Sequence, residues 1–173
     1  MIGVSRLTAL AAALAAFTAG CLPVEDIAHE GDFTLRIAAD RLAWSSAEEI
    51  KLAATLTYDG PLAETTLWGS GDGVVFFSVI EIGGTRRLEA SWHSDCGPHP
   101  IGPAEPIHVA YRKSGGFSAD DPNAAFYRAF FADPLFHLPP GRWEVLAQAN
   151  FATRDGCGGN PINLVASLVL TVA

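Results

Sequence analysis

Arg142–Thr153, RWEVLAQANFAT, and Ile162–Val172, INLVASLVLTV, are two alternating runs separated by a short glycine-rich stretch. Trp143, Val145, Ala147, Ala149 and Phe151 occupy every second position of the first run. Leu164, Ala166, Leu168, Leu170 and Val172 do the same in the second. Successive side chains of a strand point to opposite faces, so a period of two predicts strands with one buried face. The same period returns outward along the chain. Phe33, Leu35 and Ile37 alternate with Thr34 and Arg36. Ile50, Leu52, Ala54 and Leu56 alternate with Lys51, Ala53, Thr55 and Thr57, and Asp59-Gly60-Pro61 closes that strand with turn residues. Gly73–Ile82, GVVFFSVIEI, is a continuous apolar run, as expected of a central strand buried on both faces. Gly83-Gly84 predicts a hairpin turn into Arg86–His93, where Leu88, Ala90 and Trp92 share a face. Ile107–Lys113 reads as a further strand.

One segment breaks the pattern. Asp121 offers a helix N-cap and Pro122 a first helical position. Ala124–Ala132, AAFYRAFFA, then spaces Phe126/Phe130 and Tyr127/Phe131 four apart, and Asp133-Pro134 stops the helix. Seven or more strands with one short helical insertion predict an all-β chain, a β-sandwich. The strand that begins at Arg142 is preceded by Leu138-Pro139-Pro140-Gly141. The whole stretch, Leu138 to Val145, resembles the Leu-x-Pro-Gly-x-aromatic turn of bacterial immunoglobulin-like domains, including those similar to intracellular proteinase inhibitors. That resemblance implies an immunoglobulin-like β-sandwich.

The amino terminus says where the chain is directed. Arg6 is a positive start, Leu7–Phe17 is apolar, and Thr18-Ala19-Gly20 leads into Cys21. This resembles the signal peptide and lipobox of bacterial lipoproteins. The resemblance implies cleavage before Cys21, lipid on its sulfur, and residence in the cell envelope, on the outer face of the cytoplasmic membrane or at the outer membrane. The other two readings are a non-lipidated signal cut nearby and a transmembrane anchor. The apolar run falls short of the about 20 residues that a span needs. The chain then divides into a signal peptide (1–20), a lipid-anchored tether (21–31) and one domain (32–173), large enough for a single core. Fully extended, the tether reaches about 35 Å.

With Cys21 given to lipid, Cys96 and Cys157 remain, and an oxidising envelope favours a disulfide between them. The alternative is a zinc site with His93 and His99, but structural zinc draws on close Cys pairs and these are far apart. Loss of the signal removes Arg6 and no acid, so the net charge goes from −8 to −9. Such a domain has no basic cluster with which to displace counterions, and nucleic acid is not an expected partner.

No catalytic pattern is complete. Lys113-Ser114-Gly115-Gly116 resembles one motif of penicillin-binding enzymes, but neither lysine has a serine three residues before it. Gly69-Ser70-Gly71-Asp72-Gly73 lacks the nucleophile spacing, and Asp120-Asp121-x-Asn123 lacks the acidic closure of a calcium loop. His93, Asp95 and His99 offer metal-ligand types, with a solvent-facing loop as the simpler reading. No enzyme activity, metal or cofactor is therefore expected. Two candidates for recognition stand out. Tyr127, Arg128 and Phe131 form a partner-binding patch if the helix leaves them exposed, whereas packing beneath loops is the plainer fate of the phenylalanines. Trp68, beside Gly69-Ser70-Gly71, is placed to stack on a sugar ring. The expectation is a non-enzymatic binding or accessory module for another envelope protein. A proteinase inhibitor, or a domain binding glycan or metal, is the alternative.

The lipobox generates a direct test. Cys21→Ser is expected to abolish incorporation of labelled palmitate and to move the protein out of the membrane pellet, measured by autoradiography and fractionation.

Overall fold

The computed structural model describes residues 23–154 and 156–173. The lipidation site Cys21 lies outside the described residues. Eleven strands and one helix follow in order: β1 Val24–Glu30, β2 Phe33–Ala39, β3 Ala43–Trp44, β4 Leu52–Tyr58, β5 Thr65–Ser70, β6 Val75–Glu81, β7 Arg87–Leu88, β8 Cys96–Ile101, β9 Ile107–Ala110, α1 Ala124–Ala132, β10 Gly141–Phe151 and β11 Ile162–Val172. The fold is all-β with a single short α-helix. None of the described helices is long and apolar enough to cross a membrane.

The two alternating runs form the longest ladder. β10 and β11 pair antiparallel from Gly141↔Val172 to Phe151↔Ile162. All ten apolar residues of the alternation are buried, Trp143, Val145 and Leu170 completely. β6 joins the other side of β10, β7 joins β6, and β3 runs parallel to the end of β11, giving the order β3-β11-β10-β6-β7. A second sheet, β1-β2-β4-β9, turns Phe33, Leu35, Ile37, Leu52, Ala54 and Leu56 into the same core. The chain changes sheets between β2 and β3. β5 and β8 make a separate two-stranded ribbon. Pro98 and Pro100 fall on alternate positions of β8, whose other side has no ladder to lose.

Several local expectations change. Residues 24–30, assigned to the tether, are strand β1: Val24 and Ala28 pack on the core while β2 supplies the ladder. Its carboxylates also serve the open side of β11, where Asp26 accepts the Ser167 N–H at 2.8 Å and Glu30 the Asn163 N–H at 3.1 Å. The strand expected at Arg86–His93 keeps only two residues. Leu88 pairs with inward-facing Val79, whereas Trp92 packs on Phe76, which belongs to the opposite face of β6. The chain therefore rolls over the edge of the sheet between them. The outer face of the GVVFFSVIEI strand, expected to be buried, is only partly covered: Trp92 lies on Phe76 and Glu89 accepts from Ser78, while Ile80 is half-buried and Ile82 exposed. The helix begins after Asn123 rather than Asp121; the Asp121 carboxylate instead accepts the Asn123 N–H at 2.7 Å.

The turns at one end of the domain depend on two glycines. Gly83 (φ 82°) turns the β6–β7 hairpin, and Gly141 (φ 150°) opens β10 beneath the Trp143 indole. Across that hairpin Arg86 pairs with Glu81, its Nε–H donating at 2.7 Å, and its guanidinium lies 5.0 Å from the rings of both Phe126 and Trp143. The half-buried arginine holds the Glu81 carboxyl below the usual carboxylate range. A carboxyl lowered by folding stabilises the fold above its unfolded pKa, and that contribution is lost as pH falls through the lowered value. Glu81→Gln is therefore expected to lower stability at neutral pH and to flatten its decline below about pH 4.5, read from urea midpoints across an acid series.

Candidate functional site

Helix α1 covers the end of the domain at which β1 begins. Ile50 donates its N–H to the Phe136 carbonyl just after the helix, and Ile50 leads into the end of β4 that aligns with Ala39 and Val24. Residues 124, 127 and 130 are spaced to face the sheets, and all three are buried. Tyr127 is only 6% exposed, and its phenol oxygen accepts the Arg87 N–H at 3.1 Å. Phe131 is half-buried, stacked parallel to Phe117 at 6.2 Å, and Arg128 alone of the three stands free in solvent. The expected Tyr127-Arg128-Phe131 patch is therefore not an exposed surface. The tyrosine has a polar tip that the neighbouring hairpin satisfies, and this lets the ring go inside.

Lys113 has a packing role at this end. Its ammonium donates to the Phe130 carbonyl at 2.6 Å and the Asp133 carbonyl at 2.7 Å, closing the carboxyl end of the helix. Burial holds its pKa below the ordinary lysine value against the opposing pull of Asp133. Asp133 is itself held low, first by the Leu135 N–H and then by His137.

The opposite end is built differently. The β5–β8 ribbon attaches to the tip of β10 through reciprocal bonds, Trp68 N–H to the Ala152 carbonyl at 2.7 Å and Ala152 N–H to the Trp68 carbonyl at 2.9 Å. The Cys96–Cys157 disulfide joins the start of β8 to the turn at 156–158 between β10 and β11. Between ribbon, turn and the segment after β7 lies a cleft of about 220 Å³. Trp68, Phe76 and Trp92 give it aromatic walls, with Asp95, Asn150 and Cys157 among its other lining groups. Trp92 is 53% exposed, its ring 4.6 Å from that of Phe76 and tilted 58° to it. The Asp95 carboxylate lies directly over Gly71, where any Cβ would collide with it.

Trp68 thus comes to the cleft. His93 lines it as well, but His99 does not. His99 points a ring nitrogen at the Ser70 carbonyl, 2.7 Å away, while the His93 backbone donates to Asp72 and its imidazole lies 3.7 Å from the same carboxylate. Among the described residues no group of three or more His, Cys, Asp or Glu gathers to hold a metal ion. Trp92 and Phe76 were not singled out from sequence. The available signal was the placement of Trp92 four residues before Cys96, which ties an exposed indole to the disulfide loop.

The disulfide closes a loop of 61 residues, worth about 4 kcal/mol in the chain-entropy model. Cys96→Ser/Cys157→Ser is expected to lose about that much stability, measured by urea unfolding, and reductant should produce the same loss in the parent but none in the variant.

Compared with known proteins, this chain matches no family model, no curated protein and no solved structure, so the chemistry of the cleft is the ground on which a function is assigned.

Proposed function

We propose that this protein is a lipid-anchored, non-enzymatic binding module of the cell envelope, with an immunoglobulin-like β-sandwich that presents the cleft of Trp68, Phe76 and Trp92 to its ligand. The observation that carries this reading is an aromatic-walled cleft at the end of the domain away from the chain's entry. Val24 aligns with Ala39, and Glu30 with Phe33, whose ring packs on Phe151 beside the cleft. Seven residues of β1 span about 23 Å between those two ends. An anchor on Cys21, three residues before Val24, leaves about 10 Å of free chain. The helix end then lies against the bilayer and the cleft faces away from it.

The strand order supports the immunoglobulin-like part. Two facing sheets share one core, the chain passes from one sheet to the other between β2 and β3, and β3 lies parallel to the last strand. Charge supports the orientation. Asp32, Asp59, Glu64, Asp72, Asp95 and Glu105 lie toward the cleft end, with Arg154 as the one described basic residue there. The other arginines and both lysines lie nearer the helix end or midway along the sheets, so an anionic membrane repels the cleft end most. The turn that prompted the inhibitor reading is tied to the strand it precedes, the Trp143 indole N–H donating to the Pro139 carbonyl at 3.0 Å.

A photo-crosslinking residue at Ser94, on the rim, and another at Arg128, on the helix, test this in native envelopes. Adducts to an envelope component from Ser94 and not from Arg128 are the expected result. Adducts from Arg128 alone, or from neither position, would overturn it.

A further inference from the structure

We infer that the cleft is an ammonium-binding site, taking a small organic cation such as an alkylammonium group against the faces of Trp92 and Trp68. This rests on the cleft being the binding site, and names the class of ligand that fits it.

Three observations converge. The first is the walls. An aromatic face carries negative quadrupole density and attracts a cation within about 6 Å of its centroid, tryptophan most strongly. Trp92 keeps half its surface in solvent although it packs on Phe76, so an indole is held open rather than folded away.

The second is charge. Among the described residues Asp95 is the one carboxylate lining the cleft, beside the His93 imidazole, and no lysine or arginine lines it. Asp95 makes no ion pair among the described residues. Asp72 stands just behind, at the His93 backbone. An anion placed here meets the Asp95 carboxylate and the negative faces of the indoles, with no described lysine or arginine to hold it.

The third is what the remaining polar groups are doing. A neutral sugar needs side-chain partners for several hydroxyls. Here the Asn150 amide donates to Asn163, the Ser70 hydroxyl accepts the Asp72 N–H, and His99 is taken by the Ser70 carbonyl. What stays open is chiefly aromatic surface, with the Asp95 carboxylate, the Ser94 hydroxyl and the His93 imidazole at its rim. The volume, about 220 Å³, lies below the about 300–1,000 Å³ of sites that enclose drug-sized ligands, and suits an ammonium head with a short chain.

The test uses the full lipidated protein, disulfide intact, in a detergent with a neutral ethylene-oxide headgroup. Saturation-transfer NMR follows the trimethylammonium protons of choline, with glucose and acetate as neutral and anionic probes at matched ionic strength. Saturable transfer to choline and none to acetate or glucose is expected. Asp95→Asn should weaken the choline response about tenfold, and Trp92→Leu should abolish it; both residues are exposed, and urea midpoints near the parent's will show that the variants fold. Saturable glucose binding that Asp95→Asn leaves unchanged would overturn the ammonium assignment while leaving the cleft as a binding site. No saturable response to any probe would also overturn it, and the crosslinks from Ser94 would then decide separately whether the cleft binds anything.

Discussion

The antiparallel ladder between β10 and β11 is the constraint from which the rest of the molecule follows. Eleven residues on each strand run opposite one another without a bulge, and every second side chain enters the core. Because the side-chain period is two, a slip of one position would turn Trp143, Val145, Ala147, Ala149 and Phe151 outward together. Full burial of a single large apolar side chain is worth about 1.5–3 kcal/mol, so a slipped register forfeits an amount comparable with a domain's net stability of about 5–15 kcal/mol. The ladder also fixes the two ends of the molecule. Gly141 and Val172 mark one, Phe151 and Ile162 the other.

Each end solves a different problem. At the Gly141 end the core would open to water between the sheets, and α1 closes it with Tyr127, Phe130 and the nearby Phe136. The polar atoms that this closure buries find partners: the tyrosine hydroxyl takes a backbone N–H, Lys113 takes the last helical carbonyls, and Arg86 stays paired with Glu81. Among the described residues no buried side-chain nitrogen or oxygen is left without a partner. At the Phe151 end the closure is incomplete. The ribbon of β5 and β8 is held by two backbone bonds, a disulfide and the buried side chains of Leu67 and Ile101, and the space it leaves is the cleft. A body with one sealed end and one open end has a built-in direction, and the proposed anchoring would use it.

The parts of the fold legible in sequence were those whose periodicity is their own. β2, β4, β10 and β11 carry a clean alternation, and α1 is bounded within a residue or two by its flanking Asp and Pro. β1 was not legible, because Val24-Glu25-Asp26-Ile27-Ala28 shows no period of two; it becomes a strand only because β2 offers a ladder and β11 offers amides to its carboxylates. β8 hid behind its prolines, which a strand tolerates only at an edge. The site was half legible. Trp68 was visible as an aromatic beside glycines, but Trp92 looked like an inward residue of a long strand. Where the chain leaves the sheet after Leu88 is decided by Phe76 and the disulfide loop, contacts made with residues far apart in sequence. Tyr127 misled for the opposite reason: its exposure depended on whether a distant N–H would receive its hydroxyl.

The direction of β1 has a mechanical consequence. Its first residue lies at the sealed end and its seven residues run lengthwise toward the open end, paired throughout with β2. When the chain is held at its amino terminus and something grips the cleft, the pull runs parallel to the strands. The β1–β2 hydrogen bonds then carry that force together, in shear, instead of opening one after another like a zip. The two carboxylates that reach β11 add a second line of attachment along the same axis. A domain loaded in this way resists tension between its two ends far better than one whose terminal strand peels from an end.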